Sequence, residues 1–134
     1  MNLPKSAAFF ALVLICGAFQ LDARDIPVSG AAAFPAALKS AGPGDTLVLA
    51  KGDWKDAALE ITKGGTAEKP LTIRAESPGE TILTGASSLR IKAPYVVADG
   101  LYFTRGALPA ERSSVIHFLS HHATVKNTAI VDFN

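Results

Sequence analysis

The chain has 134 residues, of which 13 are Lys or Arg and 12 are Asp or Glu, so its formal net charge is +1. A balance this close to neutral gives no argument for binding nucleic acid or an anionic membrane, although a local basic strip can still bind a polyanionic sugar. Because Cys16 is the only cysteine, the fold has to be stabilised by packing and backbone hydrogen bonds rather than by disulfides.

Residues 1–23 have the pattern of a secretory leader. Lys5 supplies a positive charge, and the apolar core Ala7–Ala18 is shorter than the roughly 20 residues of a membrane-spanning helix. Ala23 is a small residue that suits cleavage, and a cut after Ala18 is the alternative. The pattern predicts a secreted or periplasmic protein, free of the membrane once the leader is removed, whose mature chain has no cysteine in an oxidising compartment.

Residues 24–134 are predicted to form one all-β domain that starts with a capping helix. Arg24–Val28 is predicted as a first strand, and Ser29 as the N-cap of a helix that runs to about Ala41. Gly42-Pro43-Gly44 ends this helix. Three apolar residues recur at helical spacing, Phe34, Leu38 and Ala41. One amphipathic helix before a run of strands suits a lid over the first coil of a solenoid.

Short apolar strands separated by Gly and Pro corners follow this helix. The predicted strands are Thr46–Ala50, Ala58–Ile61, Leu71–Ala75, Thr81–Leu83, Leu89–Lys92, Tyr95–Ala98, Leu101–Phe103, Val115–Leu119, Ala123–Val125 and Ala129–Val131. Within Leu71–Ala75 the apolar residues alternate with Thr72 and Arg74, so one side of the strand is predicted to face a core.

Aligned positions in these strands recur at a near-constant interval. Four apolar positions, 25, 24 and 28 residues apart, are Val48, Ile73, Val97 and Val125. This interval is typical of repeat architectures of about 20 to 50 residues and predicts a parallel β-helix. The longer last interval contains residues 106–114, which are predicted to form a protruding loop. A β-sandwich or barrel is the alternative, but hairpin dipeptides are scarce, Asp99-Gly100 being the one clear case.

Several runs in a fixed order carry a family resemblance. The runs are Pro43–Ala50, Gly52-Asp53-Trp54, Gly65–Glu76, Pro78-Gly79, Thr84-Gly85, Tyr95–Phe103 and Val125–Asn134. Together they resemble the N-terminal part of polysaccharide lyase family 6, a right-handed parallel β-helix family that includes alginate lyases and chondroitinase B. The resemblance implies an enzyme that cleaves uronic-acid polysaccharides by β-elimination. Alginate is the first substrate to expect. The alternatives are a lyase of dermatan sulfate and a non-catalytic β-helical segment for carbohydrate binding or adhesion.

The chemistry that the resemblance implies needs a base for the C5 proton of the uronate and a cation that offsets its carboxylate. In the family, lysine is thought to be the base and arginine the acid, with calcium on the carboxylate in many members. No position of this chain matches those residues, so the catalytic residues are expected downstream of Asn134 and no cofactor is expected in this chain. The chain is therefore expected to be the inactive N-terminal piece of a longer protein, with an anionic polysaccharide and the later coils as its partners.

Four basic residues are candidate contacts for sugar carboxylates: Arg74, Arg105, Arg112 and Lys126. Arg74 and Lys126, like Arg90 and Lys92, are outward members of predicted strands, where stacking can align them into a basic strip. Arg105 and Arg112 border the long loop, and loops often line binding grooves. Ordinary solvated strand faces are the alternative for the four strand residues.

The histidines His117, His121 and His122 are clustered, but no acidic residue lies at ligand spacing beside them. They are therefore predicted as surface and turn residues, and no metal site is predicted. Asp99 and Asp132 each follow an apolar strand, and for Asp99 a corner position is preferred over a catalytic role.

Three further polar or aromatic residues have structural predictions. Asn127 and Asn134 end short strands, where asparagine often satisfies the backbone groups of a turn. Trp54 is the only tryptophan and either stacks on a sugar ring or packs under the first coil.

Overall fold

The computed structural model describes residues 22–134, so the predicted leader lies almost wholly outside the described residues. The strands are β1 Asp25–Val28, β2 Thr46–Leu49, β3 Gly52–Lys55, β4 Ala58–Ile61, β5 Leu71–Ala75, β6 Thr81–Gly85, β7 Ser88–Ile91, β8 Val96–Asp99, β9 Tyr102–Gly106, β10 Ile116–Phe118, β11 Ala123–Lys126 and β12 Ala129–Phe133. A 3₁₀ turn, Ala31–Ala33, leads into the helix α1, Phe34–Ser40. Within residues 22–134 no helix is long and apolar enough to cross a membrane.

The strands stack into three parallel sheets. Sheet 1 has the order β1-β2-β5-β8-β11, sheet 2 the order β3-β6-β9-β12, and sheet 3 the order β4-β7-β10. From β2 onward, successive strands along the chain step from one sheet to the next, and every strand pair in the described part of the chain is parallel. The chain therefore winds as a parallel β-helix, as predicted. The sandwich alternative is excluded because it is built from antiparallel neighbours.

The register in sheet 1 corrects one predicted alignment. The inward column is Leu47, Ile73, Ala98 and Val125, at intervals of 26, 25 and 27 residues. Val48 pairs with Arg74 and Val97 pairs with Thr72, so the prediction that both valines align with Ile73 was wrong. Both valines are half-buried on the outer side. Their strands are apolar on both sides, and a slip of one residue therefore leaves the hydrophobic pattern almost unchanged.

The helix is shorter than predicted, and Ser29 does not cap it. A 3₁₀ turn with Gly30 as its N-cap comes first, and neither this turn nor α1 has a capping hydrogen bond from a side chain. Pro35 accounts for the late start, because its ring is tolerated only in the first turn of a helix. Phe34 and Leu38 are buried against the core, and α1 contacts β1 and β4. The predicted lid over the first coil is confirmed.

Strand β3 was not predicted, because Trp54 is its only buried residue among Gly, Asp and Lys. The indole is 4% exposed, and its Nε1 donates a hydrogen bond to the carbonyl oxygen of Ala50 at 3.1 Å. Trp54 heads an inward column of sheet 2 that continues with Leu83 and Phe103. The packing alternative for this residue is correct, and the ring is not available for stacking on a sugar.

Asp45 ties the cap to the first coil. Its carboxylate accepts hydrogen bonds from the backbone N–H and the guanidinium of Arg24, at 3.1 and 2.8 Å, and from the N–H of Gly42 at 2.9 Å. The side chain is 7% exposed. The guanidinium hydrogen bond, aided by the two N–H groups, holds the pKa of Asp45 at about 2, well below its ordinary 3.8, although burial opposes this.

Replacing Asp45 with Asn is expected to lower the free energy of unfolding by roughly 2 kcal/mol at neutral pH. Because the pKa is lower in the folded state, the stabilising contribution of the carboxylate is fully present above about pH 4 and disappears as the pH falls toward about 2. Urea unfolding of both proteins over this pH range measures the effect. A difference that does not shrink in acid would contradict the ion pair.

The inward columns continue into the last coil, where their residues become exposed to solvent. Phe118 extends the column of Ile61 and Ile91, and Ile130 extends that of Leu83 and Phe103. Phe118 is 50% exposed and Ile130 is 47% exposed, whereas the residues beneath them are fully buried. The upper edge of the described coils is therefore an apolar surface with unpaired strand edges.

Candidate functional site

Two of the four candidate basic residues lie on sheet 1. Arg74 on β5 forms an ion pair with Asp25 at 3.2 Å, and Lys126 on β11 forms one with Asp99 at 3.6 Å. Each cation therefore has a carboxylate partner, and the two residues are not brought together with the other candidates.

The other two candidates lie just before and within the loop that was predicted from the polar insertion. Arg105 is an outward residue at the end of β9 on sheet 2 and contacts Asp53 at 3.5 Å. Arg112 lies within residues 107–115, the loop between β9 and β10, and its Nη1 donates a hydrogen bond to Ser88 Oγ at 3.0 Å. Arg112 is the only one of the four candidates that lies beside sheet 3.

The outer face of sheet 3 lies beside the loop 107–115, and we call the polar surface that they form the sheet 3 groove. The strand register places Glu60, Arg90 and His117 side by side on β4, β7 and β10. Neighbouring strands lie about 4.8 Å apart, so the three side chains form a ladder along the axis of the β-helix. The inward neighbours of the ladder, Leu89 and Ile91, are fully buried and hold Arg90 on the outer side.

The charges in the groove are coupled. Glu60 accepts a hydrogen bond from Lys92 Nζ at 2.9 Å and lies 3.5 Å from Arg90 Nη1. The pKa of Glu60 is lowered mainly by the Lys92 hydrogen bond, with smaller contributions from the charges of Arg90 and Arg112. The carboxylate therefore stays ionised and neutralises part of the basic charge at this end of the groove.

A small cavity of about 150 Å³ lies under the loop. Its lining residues are polar or charged: Ser88, Arg90, Glu111, Arg112, Ser113, Ser114 and His117. Ser88 is 1% exposed and is fixed by Arg112. Arg90 Nε is shielded from solvent and has no hydrogen-bond partner within residues 22–134. Arg112 uses only Nη1 within the described residues, so its remaining N–H groups keep hydrogen-bonding capacity.

A larger cavity of about 630 Å³ lies between α1 and β4 and is lined in part by Phe34, Leu38 and Ala58. Glu60 also borders it, so the two cavities lie on either side of the Glu60–Arg90 pair. The exposed wall of the larger cavity is mainly apolar, although Lys39, Glu60, Thr62 and Lys63 also line it.

The histidines occupy the predicted positions on the surface and in a turn. His117 is exposed on β10, whereas His121 and His122 lie in the turn before β11, with their Nδ1 atoms 2.6 Å apart. Tyr95 stacks on His122 with a ring separation of 4.8 Å. In the described part of the chain, no group of three or more His, Cys, Asp or Glu residues is placed to hold a metal ion.

Asp99 and Asp132 do not form a carboxylate pair, since they lie on sheets 1 and 2. Asp99 ends β8 just before the corner residue Gly100, as predicted, and accepts a hydrogen bond from Asn127 Nδ2 at 2.8 Å. The Asn127 side chain therefore binds a carboxylate rather than turn backbone, which corrects its predicted role. Asn134 is exposed and uses its backbone N–H to bond Gly106.

The sequence alone did not predict that Arg112 lies beside Ser88 and Arg90. The contact joins the loop 107–115 to a strand more than twenty residues earlier. The length of a loop does not predict which strands it will fold over. One signal was available: Arg90 alternates with buried Leu89 and Ile91, which identifies it as an outward residue of the strand that precedes the loop by one coil.

The chondroitinase B family model matches residues 28–134. The chain therefore belongs to the chondroitinase B family. No curated protein sequence matches the chain.

Solved structures of polysaccharide lyases have the same fold. A polysaccharide lyase of family PL6 from Pseudopedobacter saltans is 38% identical over 78% of this chain, with a TM-score of 0.75. The PL6 alginate lyase AlyGC is 33% identical over 79%, with a TM-score of 0.73, and an alginate lyase from Paenibacillus sp. FPU-7 is 28% identical over 82%, with a TM-score of 0.66. The chain spans 24%, 15% and 37% of the lengths of these three proteins.

Proposed function

We propose that this chain forms the first coils of a polysaccharide lyase that cleaves a uronic-acid polysaccharide, with alginate as the substrate. The family match over residues 28–134 carries this proposal. Two of the similar structures are alginate lyases, which favours alginate, whereas the family description favours a glycosaminoglycan such as dermatan sulfate as the second candidate.

The reaction is a β-elimination. A base removes the proton from C5 of the uronate, the C5–H electrons form a C4=C5 double bond, and the bond from C4 to the glycosidic oxygen breaks. The departing oxygen takes up a proton from an acid, so the product carries an unsaturated sugar at its new end. The C5 proton becomes acidic enough only when positive charge offsets the neighbouring carboxylate.

The described coils are proposed to bind the substrate rather than to perform its chemistry. The sheet 3 groove supplies Arg112, which has no carboxylate partner among the described residues, and Arg90 for carboxylate recognition, whereas Lys92 is paired with Glu60. The catalytic base and acid are placed on further coils that stack on β10–β12. The half-exposed Phe118 and Ile130 support this, because another coil would bury them.

Calcium is proposed for the complete protein, where it would offset the uronate carboxylate. Residues 22–134 do not fit this ion, since they contain no cluster of three or more His, Cys, Asp or Glu side chains placed to hold a metal. Any calcium ligands are therefore assigned to the further coils.

The proposed activity is tested with the protein expressed from its complete reading frame. Alginate, dermatan sulfate and a neutral polysaccharide are incubated separately with it, and ultraviolet absorbance reports the unsaturated product. We expect activity on alginate, none on the neutral polymer, and none from residues 24–134 alone. Activity on dermatan sulfate alone would move the assignment to the second candidate. Binding to alginate without product would favour a carbohydrate-binding or adhesion role.

Secretion into the periplasm or medium, with cleavage after Ala23, is also proposed. The structural support is that Ala23 and Arg24 are exposed, while the Arg24 nitrogen lies 3.1 Å from Asp45 Oδ1. After such a cut this nitrogen is an ammonium, which strengthens its contact with the carboxylate. Mass spectrometry of the secreted protein is expected to give Arg24 as the first residue. Phe19 as the first residue would indicate the alternative cut after Ala18.

A further inference from the structure

The small cavity in the sheet 3 groove has a recognisable donor pattern. Arg112 donates from Nη1 to the buried Ser88 Oγ, which fixes one edge of its planar guanidinium. Arg90 has a single long hydrogen bond among the described residues, from Nη1 to Glu60 Oε1 at 3.5 Å. Each guanidinium has five N–H donors, so both retain donors for an external acceptor.

A carboxylate is the acceptor that best fits this pattern. Its two oxygens lie in one plane and match the fork of a guanidinium, and the neighbouring Ser113 and Ser114 can provide further hydrogen bonds. The volume of about 150 Å³ is below the several hundred Å³ of a typical small-molecule pocket. The cavity therefore suits a single acidic substituent of a longer chain that lies across the face.

We propose that this cavity binds the carboxylate of one uronate residue of the polysaccharide, away from the residues that break the chain. This inference rests on the proposed function and adds a specific subsite to it. The polymer lies in the sheet 3 groove, and Arg112 with Arg90 holds one of its sugar carboxylates. The subsite contributes substrate affinity and alignment, whereas the chemical step takes place on other coils.

The negative groups near the cavity give the proposal a second, opposite test. Glu60 is already paired with Lys92 and Arg90. Glu111 is exposed, lines the cavity and has no ion pair among the described residues, so its charge opposes the binding of an anion. Removing this charge is expected to strengthen binding, while removing Arg112 is expected to weaken it.

The experiment uses the protein from the complete reading frame and alginate oligosaccharides. Arg112→Ala is expected to raise KM about tenfold with little change in kcat, because a contact made equally in the ground and transition states is lost. Glu111→Gln is expected to lower KM. The matched controls Arg74→Ala and Arg105→Ala remove ion-paired arginines from sheets 1 and 2 and are expected to leave KM unchanged.

The ligand is varied as well. Calorimetric binding of an alginate oligosaccharide is expected to depend on Arg112, whereas binding of the same oligosaccharide with its carboxyl groups reduced to alcohols is expected not to. A dermatan sulfate oligosaccharide distinguishes uronate recognition in general from recognition of alginate alone.

If the wild type cleaves alginate and Arg112→Ala behaves like it, the subsite is wrong while the proposed function stands. If oligosaccharide binding depends on Arg112 but no cleavage occurs, the subsite stands and the lyase assignment fails.

Discussion

Replacing Gly64 with Ala is expected to destabilise the fold by about 3 kcal/mol or more, which is a large fraction of the stability of a small domain. Gly64 lies in the corner between β4 and β5, against the corner of the next coil. A Cβ atom at this position would overlap the carbonyl oxygen of Pro94 and approach the Ala93 side chain. The backbone cannot move aside easily, because Gly65 and Leu71 both donate hydrogen bonds to the carbonyl oxygen of Tyr95.

The control for this experiment is Gly30→Ala. Gly30 has an extended backbone with φ −178°, and a Cβ there would meet no atom within 4 Å. Its substitution is expected to change the free energy of unfolding by no more than about 0.5 kcal/mol. Urea unfolding followed by circular dichroism measures both variants. Equal stability of the two would show that the stacked corners at Gly64 and Pro94 are not packed as described.

The second large effect is expected at the register of sheet 1. Leu47→Ala is expected to cost about 2 to 5 kcal/mol, because Leu47 is fully buried in the column with Ile73. Val48→Ala is expected to cost less than about 1 kcal/mol, since Val48 faces outward and is half-buried. The same urea titration compares them. A larger loss of stability in Val48→Ala than in Leu47→Ala would support the register that was predicted from the sequence.

The coil architecture was predictable because its signals repeat. Alternation in Leu71–Ala75, Gly and Pro corners and a period near 25 residues all indicate stacked parallel strands, and the structure has them. The phase of individual strands was less predictable. Where both faces of a strand are apolar, as around Val48 and Val97, the period is visible while the direction of each side chain is not.

Local predictions were wrong where they depended on a single residue. Ser29 has the side chain of a good N-cap, but Pro35 sets where the helix can start. Strand β3 has one buried residue, Trp54, which is too little for a hydrophobic pattern. The groove was partly predictable, since Arg90, Lys92 and Arg112 were all expected on the outside. Their contacts with Glu60 and Ser88 join different coils and required the register.

The corner between sheets 2 and 3 varies in length while the strands around it keep their alignment. It has two residues between β3 and β4 and again between β6 and β7, but nine between β9 and β10. Despite the nine-residue loop, Ile116 still pairs with Leu89 and Ala129 still pairs with Tyr102. A loop of different length can therefore be exchanged at this corner without any matching change in the interior of the β-helix.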